Sequence, residues 1–169
     1  MIAAVIFVVF PFAMAYAAFS DLVSMTIANR VSIILLAAFV VLALVVGMPL
    51  SSIGLHLGVG LATLVVAFGC FAAGWMGGGD AKLLAATAVW FGPTQLFLDY
   101  LVLGAVFGGV LTLAILLARA KFVPVTGVDF VDHLLERKTG IPYGIGLGAA
   151  GLTVYTSSDW VSLAVHGLV

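Results

Sequence analysis

Between Arg30 and Asp80 the chain contains no Asp, Glu, Lys or Arg, and the clearest break in that stretch is Gly47-Met48-Pro49. A helix on the surface of a soluble domain needs a polar face. Neither half of this stretch offers one, and each half is close to the length of about 20 apolar residues that crosses a bilayer. The rest of the sequence follows suit: 64% of the 169 residues are hydrophobic and 8% are charged, against about a quarter charged in ordinary soluble domains. A soluble globule and a disordered chain are both excluded. Six spans would use about 120 residues, which leaves no room for a separate soluble domain. The whole of residues 1–169 reads as one polytopic membrane domain.

Turn signals divide the apolar runs into six helical spans, at about 2–19, 31–47, 53–75, 80–93, 95–118 and 141–156, an all-α integral membrane architecture. No Lys or Arg precedes the first run, as it would in a cleaved leader, so it is expected to stay as a span, kinked at Pro11. The fourth run, Ala81 to Gly92, has 12 residues. It covers about 18 Å of a hydrocarbon core about 30 Å thick. Either it continues past Pro93 or one end is recessed. A polar loop occupies 119–140, and the apolar tail from Trp160 to Val169 is too short to span. All six Lys and Arg fall in the first, third and fifth connections or just beside them. The positive-inside rule therefore puts those connections in the cytoplasm and both termini outside. Trp75 would then sit in the inner interfacial belt, and Trp90 and Trp160 in the outer one.

Charges at membrane depth are expensive and point to function. Asp21 closes the first span and Asp80 opens the fourth, both toward the cytoplasmic face. Two carboxyls brought close share a proton, so that one can act as base on a water and the other as acid toward a carbonyl. That is aspartic-protease chemistry, with no metal and no cofactor. Gly77, Gly78 and Gly79 allow close backbone approach and could admit an extended substrate strand beside the acid. The plain alternative is that Asp80 is a helix N-cap and Asp21 a solvated interface residue. The residues alone leave both readings open.

The motifs resemble a known family. Met76-Gly77-Gly78-Gly79-Asp80-Ala81-Lys82-Leu83-Leu84 is similar to the GxGD motif, with its following Lys-Leu, of the type IV prepilin peptidases. Ser20-Asp21, followed by Asn29, resembles that family's first aspartate motif, and Ile141-Pro142-Tyr143-Gly144 its Pro-aromatic-Gly segment. The resemblance covers about Ser20 to Gly148. It implies a membrane aspartic endopeptidase that cuts the short basic leader from prepilins at the cytoplasmic face of the bacterial inner membrane. Asp21 and Asp80 would be its catalytic pair. Ala28 departs from the family's Ile-Pro-Asn, so a differently shaped loop is expected there. Cys70 is the single cysteine, so the CxxC-bearing extension of larger bifunctional members is not expected. The resemblance is therefore to the short, peptidase-only type found with tight-adherence pili.

Supporting residues are harder to assign. Val128, Val131, Leu134 and Leu135 share one helical face, with Asp129, Asp132 and Glu136 opposite. This reads as an amphipathic helix on the membrane lipid, and its acids could attract a basic leader. Lys82 reads as an interfacial anchor or a partner of an acid or of the substrate backbone. Gly54/Gly58, Gly74/Gly78, Gly104/Gly108 and Gly144/Gly148 are small-xxx-small pairs suited to close helix packing. The three histidines are scattered, and a net charge of −1 gives no reason to expect nucleic-acid binding. The oligomeric state is not set by the sequence. Two other functions fit the composition: a proton- or ion-coupled transporter using the same acids as a relay, or a non-catalytic scaffold. Transporter sites usually lie near the midplane between inverted repeats. Here both acids fall toward one face and the halves show no repeat.

Overall fold

Each of the six apolar runs is an α-helix in the computed structural model of the chain, which describes residues 2–121 and 126–167. The order is α1 (Ile2–Ser24), α2 (Asn29–Val45), α3 (Leu50–Ala72), α4 (Gly78–Phe91), α5 (Gln95–Lys121), α6 (Asp129–Leu135), α7 (Tyr143–Tyr155) and α8 (Asp159–Val165), with no strand among the described residues. The helices α1, α3 and α5, of 23, 23 and 27 residues, are long and apolar enough to cross a membrane. The apolar α2 is shorter at 17 residues. Large hydrophobic side chains such as Phe12, Phe19, Leu50 and Trp75 stand exposed around the outside. An apolar surface of that extent belongs in lipid, and the protein is membrane-integral. Residues 122–125 of the expected loop and 168–169 of the apolar tail lie outside the described residues.

The short fourth helix is explained by its position. Ten of the 14 residues of α4 are buried, and it packs against α2, α3, α5 and α7. A helix enclosed by other helices can be apolar all round and need not match the bilayer thickness. It stops at Gly92, whose φ of 58° is left-handed, so it does not run on past Pro93. Helix α1 continues through Pro11 without interruption.

One end of the bundle is an aromatic cluster. Phe10 stacks on Tyr155 at 4.1 Å, and Phe10, Phe39, Trp90 and Trp160 pack edge to face or tilted around them. Here the sequence expectation needs correction. Trp90 and Trp160 are not an interfacial belt; both are buried. Each indole N–H donates to a backbone carbonyl, Trp90 to Leu35 at 3.0 Å and Trp160 to Trp90 at 3.1 Å. Once the polar tip is bonded, the whole ring can enter the core.

The glycine pairs divide in the same way. A Cβ on Gly146 would lie 2.8 Å from the backbone nitrogen of Gly108, and one on Gly148 would lie 2.9 Å from the carbonyl of Met14. These glycines let α7 pack directly against the backbones of α5 and α1. Gly54 and Gly58 face open space, so they do not mediate packing within the chain, contrary to expectation.

Candidate active site

The site is assembled at the other end of the bundle. Asp21 lies on the last turn of α1. That helix closes on Met25, whose φ of 52° is a left-handed C-terminal turn. Ser20 and Ser24 brace the turn, their hydroxyls reaching the Thr26 carbonyl and the Ser20 carbonyl at 2.8 and 2.7 Å. The chain reverses there and drives Ile27 inward, where it is buried. Ala28 has φ −65° and ψ 137°, the φ that a proline ring would impose. The backbone at Ala28 therefore keeps a conformation open to proline, although the residue is different.

Asp80 lies in the first turn of α4, preceded by Gly77 as N-cap. Its carboxylate faces the N–H of Gly77. A Cβ on Gly77 would come within 2.9 Å of Asp80 Oδ2. Gly78 sits against the ring of Phe71, and a Cβ on Gly79 would meet Cβ of Ile27 at 3.1 Å. The close approaches that these glycines permit are thus made by the chain's own atoms. Oδ1 of Asp80 is buried and has no hydrogen-bond partner among the described residues.

Asp21 and Asp80 are brought together by α7 and Ile27. The N–H of Gly144 donates to Asp21 Oδ2 at 2.7 Å. A Cβ on Gly144 would collide with Asp21 Oδ2 at 2.8 Å and with Ile27 Cδ1 at 2.7 Å. Ile27 therefore touches both the glycine turn before Asp80 and the glycine that holds Asp21. The two acids are 5% and 8% exposed, and Asp80 lies within range of the Asp21 charge. Burying two carboxylates this close is costly without a compensating role.

Of the other residues singled out in the sequence, Asn29 and Lys82 meet. Lys82 Nζ donates to Asn29 Oδ1 at 2.8 Å, which ties the start of α2 to α4. Pro142 is the N-cap of α7, and Tyr143 lies against Gly108, its hydroxyl 3.3 Å from Thr112 Oγ1. The acids of α6 are apart from the pair. Asp132 accepts from the Thr126 N–H at 2.6 Å, the Thr126 hydroxyl at 2.7 Å and the Gly127 N–H at 3.1 Å. The backbone and hydroxyl of Thr126 hold its carboxyl below the usual carboxylate range. Glu136 faces His133 at 3.9 Å. Among the described residues no three His, Cys, Asp or Glu gather where a metal could bind.

Two contributors escaped the sequence reading. Ile27 looks like any apolar residue. Arg119, nearly buried, donates to the carbonyls of Leu134 and Gly140 at 2.9 Å each. It clamps the segment that leads through Pro142 to Gly144. In the sequence it is indistinguishable from a basic anchor at a helix end.

The chain matches the type IV leader peptidase family over residues 8–119, a stretch that includes both acids and the glycine turn. It belongs to that family. Neither the curated proteins nor the solved structures give a match. Family membership makes the chain a peptidase, a hydrolase of leader-bearing precursors. The segment that holds Asp21 from the far side, with Arg119's partners Leu134 and Gly140 and with Gly144 itself, lies beyond the matched residues.

Proposed function

We propose that the chain is an aspartic endopeptidase of the bacterial cytoplasmic membrane. It removes the short basic leader from prepilins of the type IV or tight-adherence kind, and Asp21 and Asp80 are its catalytic pair. In this reading the six helices α1–α5 and α7 cross the membrane, with both termini outside. The ends of α1 and α4 that carry the acids face the cytoplasm. The support for that orientation is the gathering of all six Lys and Arg toward the same end.

The reaction needs a water and no other group. The ionised member of the pair takes a proton from the water, whose oxygen attacks the scissile carbonyl carbon. The protonated member gives its proton to the carbonyl oxygen. Collapse of the tetrahedral intermediate breaks the C–N bond, and the departing amine takes up a proton from the pair. Such a pair titrates as a unit. The bond from Gly144 orients Asp21, and the buried Oδ1 of Asp80, unpartnered among the described residues, keeps an acceptor site for the water or substrate that enters. Asp129 and Glu136 remain exposed to meet the basic leader, whereas Asp132 is engaged in folding its own loop.

The observation that carries this reading is the burial of two carboxylates from different helices, with Ile27 touching the turn before Asp80 and the glycine that holds Asp21. The test is co-expression with a tight-adherence-type pilin precursor, followed by the mass of the pilin. Loss of the leader with wild type, and with neither Asp21→Asn nor Asp80→Asn, is expected, without an added methyl group. Cleavage surviving in either variant would remove that residue from the pair.

A further inference from the structure

A groove runs along the face of α4 that points away from Asp80. Its floor is Ala85, Ala86 and Val89 of α4, and its walls come from α2 and α3, with a volume of about 460 Å³. The groove is open because α2 and α3 each pack on α4 but hardly on one another. It spans residues 82–89 of α4, about two helical turns. Its polarity is graded. Lys82, Asn29 and Ser32 stand at the end nearer the acids, and toward the other end it is lined by Leu36, Leu57 and Leu61. Among the described residues no carboxylate lines it.

We infer that this groove seats the first turns of the prepilin's own apolar helix, just after the bond that is cut. The inference rests on the leader-peptidase reading above and names where that substrate lies. A leader-bearing membrane precursor is polar, then apolar, and the groove has the same order. A helix that begins in an apolar slot also brings N–H groups that have no partner in its first turn. Two acceptors wait at the polar end. Ser32 Oγ is buried and has no partner among the described residues, and Asn29 Oδ1, which accepts from Lys82, has a second lone pair to offer. The ammonium of Lys82 is available to the carbonyls that precede the substrate helix. Its charge also turns a basic leader away from the groove, so that the leader leaves over the N-terminus of α4. Asp80 is on the opposite side of that helix, about 10 Å across. Three extended residues cover that distance at about 3.3 Å each, so a short extended junction would bring the scissile bond to the acids. A lipid acyl chain is the competing occupant.

The experiment uses the full chain in membranes with a full-length pilin precursor. In a Cys70→Ser background carrying Asp80→Asn, cysteines at Ile33 and Leu61 (opposite walls of the groove) are paired with single cysteines along the precursor's apolar helix. Crosslinks are expected at both positions and confined to the helix's first turns, with none from a control cysteine at Phe12 on α1. In the active protein, Ser32→Ala and Ile33→Trp should each raise KM for the precursor about tenfold, with kcat retained, and Ser32→Thr should restore the wild-type KM. No crosslinks, with KM unmoved while wild type cleaves, would overturn the groove and leave the peptidase reading standing. A co-purified phospholipid that holds the groove against the precursor would do the same. Absence of cleavage by wild type would instead remove the peptidase reading, and the groove assignment with it.

Discussion

The two flanks of α4 differ in how their helices meet one another. On the flank of α1, α5 and α7, helices meet at backbone distance. Gly146 lies on Gly108, Gly148 on Met14 and Gly144 on Asp21, with no space for an added methyl group. On the flank of α2 and α3, α3 also meets α4 at close quarters, with Gly60 lying on Val89 and the Ala85 carbonyl, but glycines 54 and 58 face nothing and a groove separates α2 from α3. The closed flank holds the acids and the open flank holds none. Groups that must keep a fixed relation sit where every neighbouring helix is closely packed, and a surface that must admit a partner sits where two helices stay apart.

The sharpest way to break this contrast is to add one methyl group on each flank. Gly144→Ala should cut cleavage about 100-fold, because a displacement near 1 Å costs that much in a reacting geometry. It should also lower stability by about 2 kcal/mol through overpacking. Gly58→Ala should leave cleavage alone and raise stability by about 0.5 kcal/mol, since alanine is the better helix residue. Equal effects at the two positions would end the distinction.

Arg119 extends the closed flank into the loop before α7. Arg119→Met leaves the carbonyls of Leu134 and Gly140 without their donor, and hydrogen bonds to a charged group contribute about 1.5–3 kcal/mol. A loss of that order in thermal unfolding is expected, with faster proteolysis of residues 126–140. Unchanged proteolysis would show that the loop is held by something else.

The smallest effect concerns Asp132. Its carboxyl lies below its ordinary value of 3.8 because Thr126 and Gly127 donate to the charged form. A depressed value in the folded state means that the stabilisation is present above the ordinary value and is lost as pH falls through the folded one. Hydrogen exchange at Thr126 and Gly127, corrected for intrinsic rates, should stay protected at neutral pH and open only below pH 3.8. Asp132→Asn should weaken that protection at neutral pH and make it insensitive to pH. Protection that persists in the variant would assign it to another contact.

Much of the closed flank was legible beforehand, for a physical reason. Ionisable groups are so rare in apolar runs that Asp21 and Asp80 stood out on cost alone, and hydropathy marked the helices that carry them. Partners across helices were not legible. Asp21 bonds to Gly144, 123 positions away, and that contact depends on how each helix is rotated about its axis, which a uniformly apolar sequence does not record. The same ambiguity hid the burial of Trp90 and Trp160, which an interfacial position would equally explain. It also hid the clamp of Arg119. Helix ends shifted by a few residues because α1 carries on through Asp21 to Ser24 before its left-handed turn.

In the proposed reaction Asp21 and Asp80 act as one unit on a single water. The direct test is the rate of precursor cleavage by purified wild type, Asp21→Asn, Asp80→Asn and the double variant. Groups that work as a unit are strongly non-additive. Each single change is predicted to remove about 10³-fold or more, and the double change to remove no more than either single one. A single variant that keeps activity within tenfold of wild type, or a double variant whose loss is the product of the two, would contradict the pair.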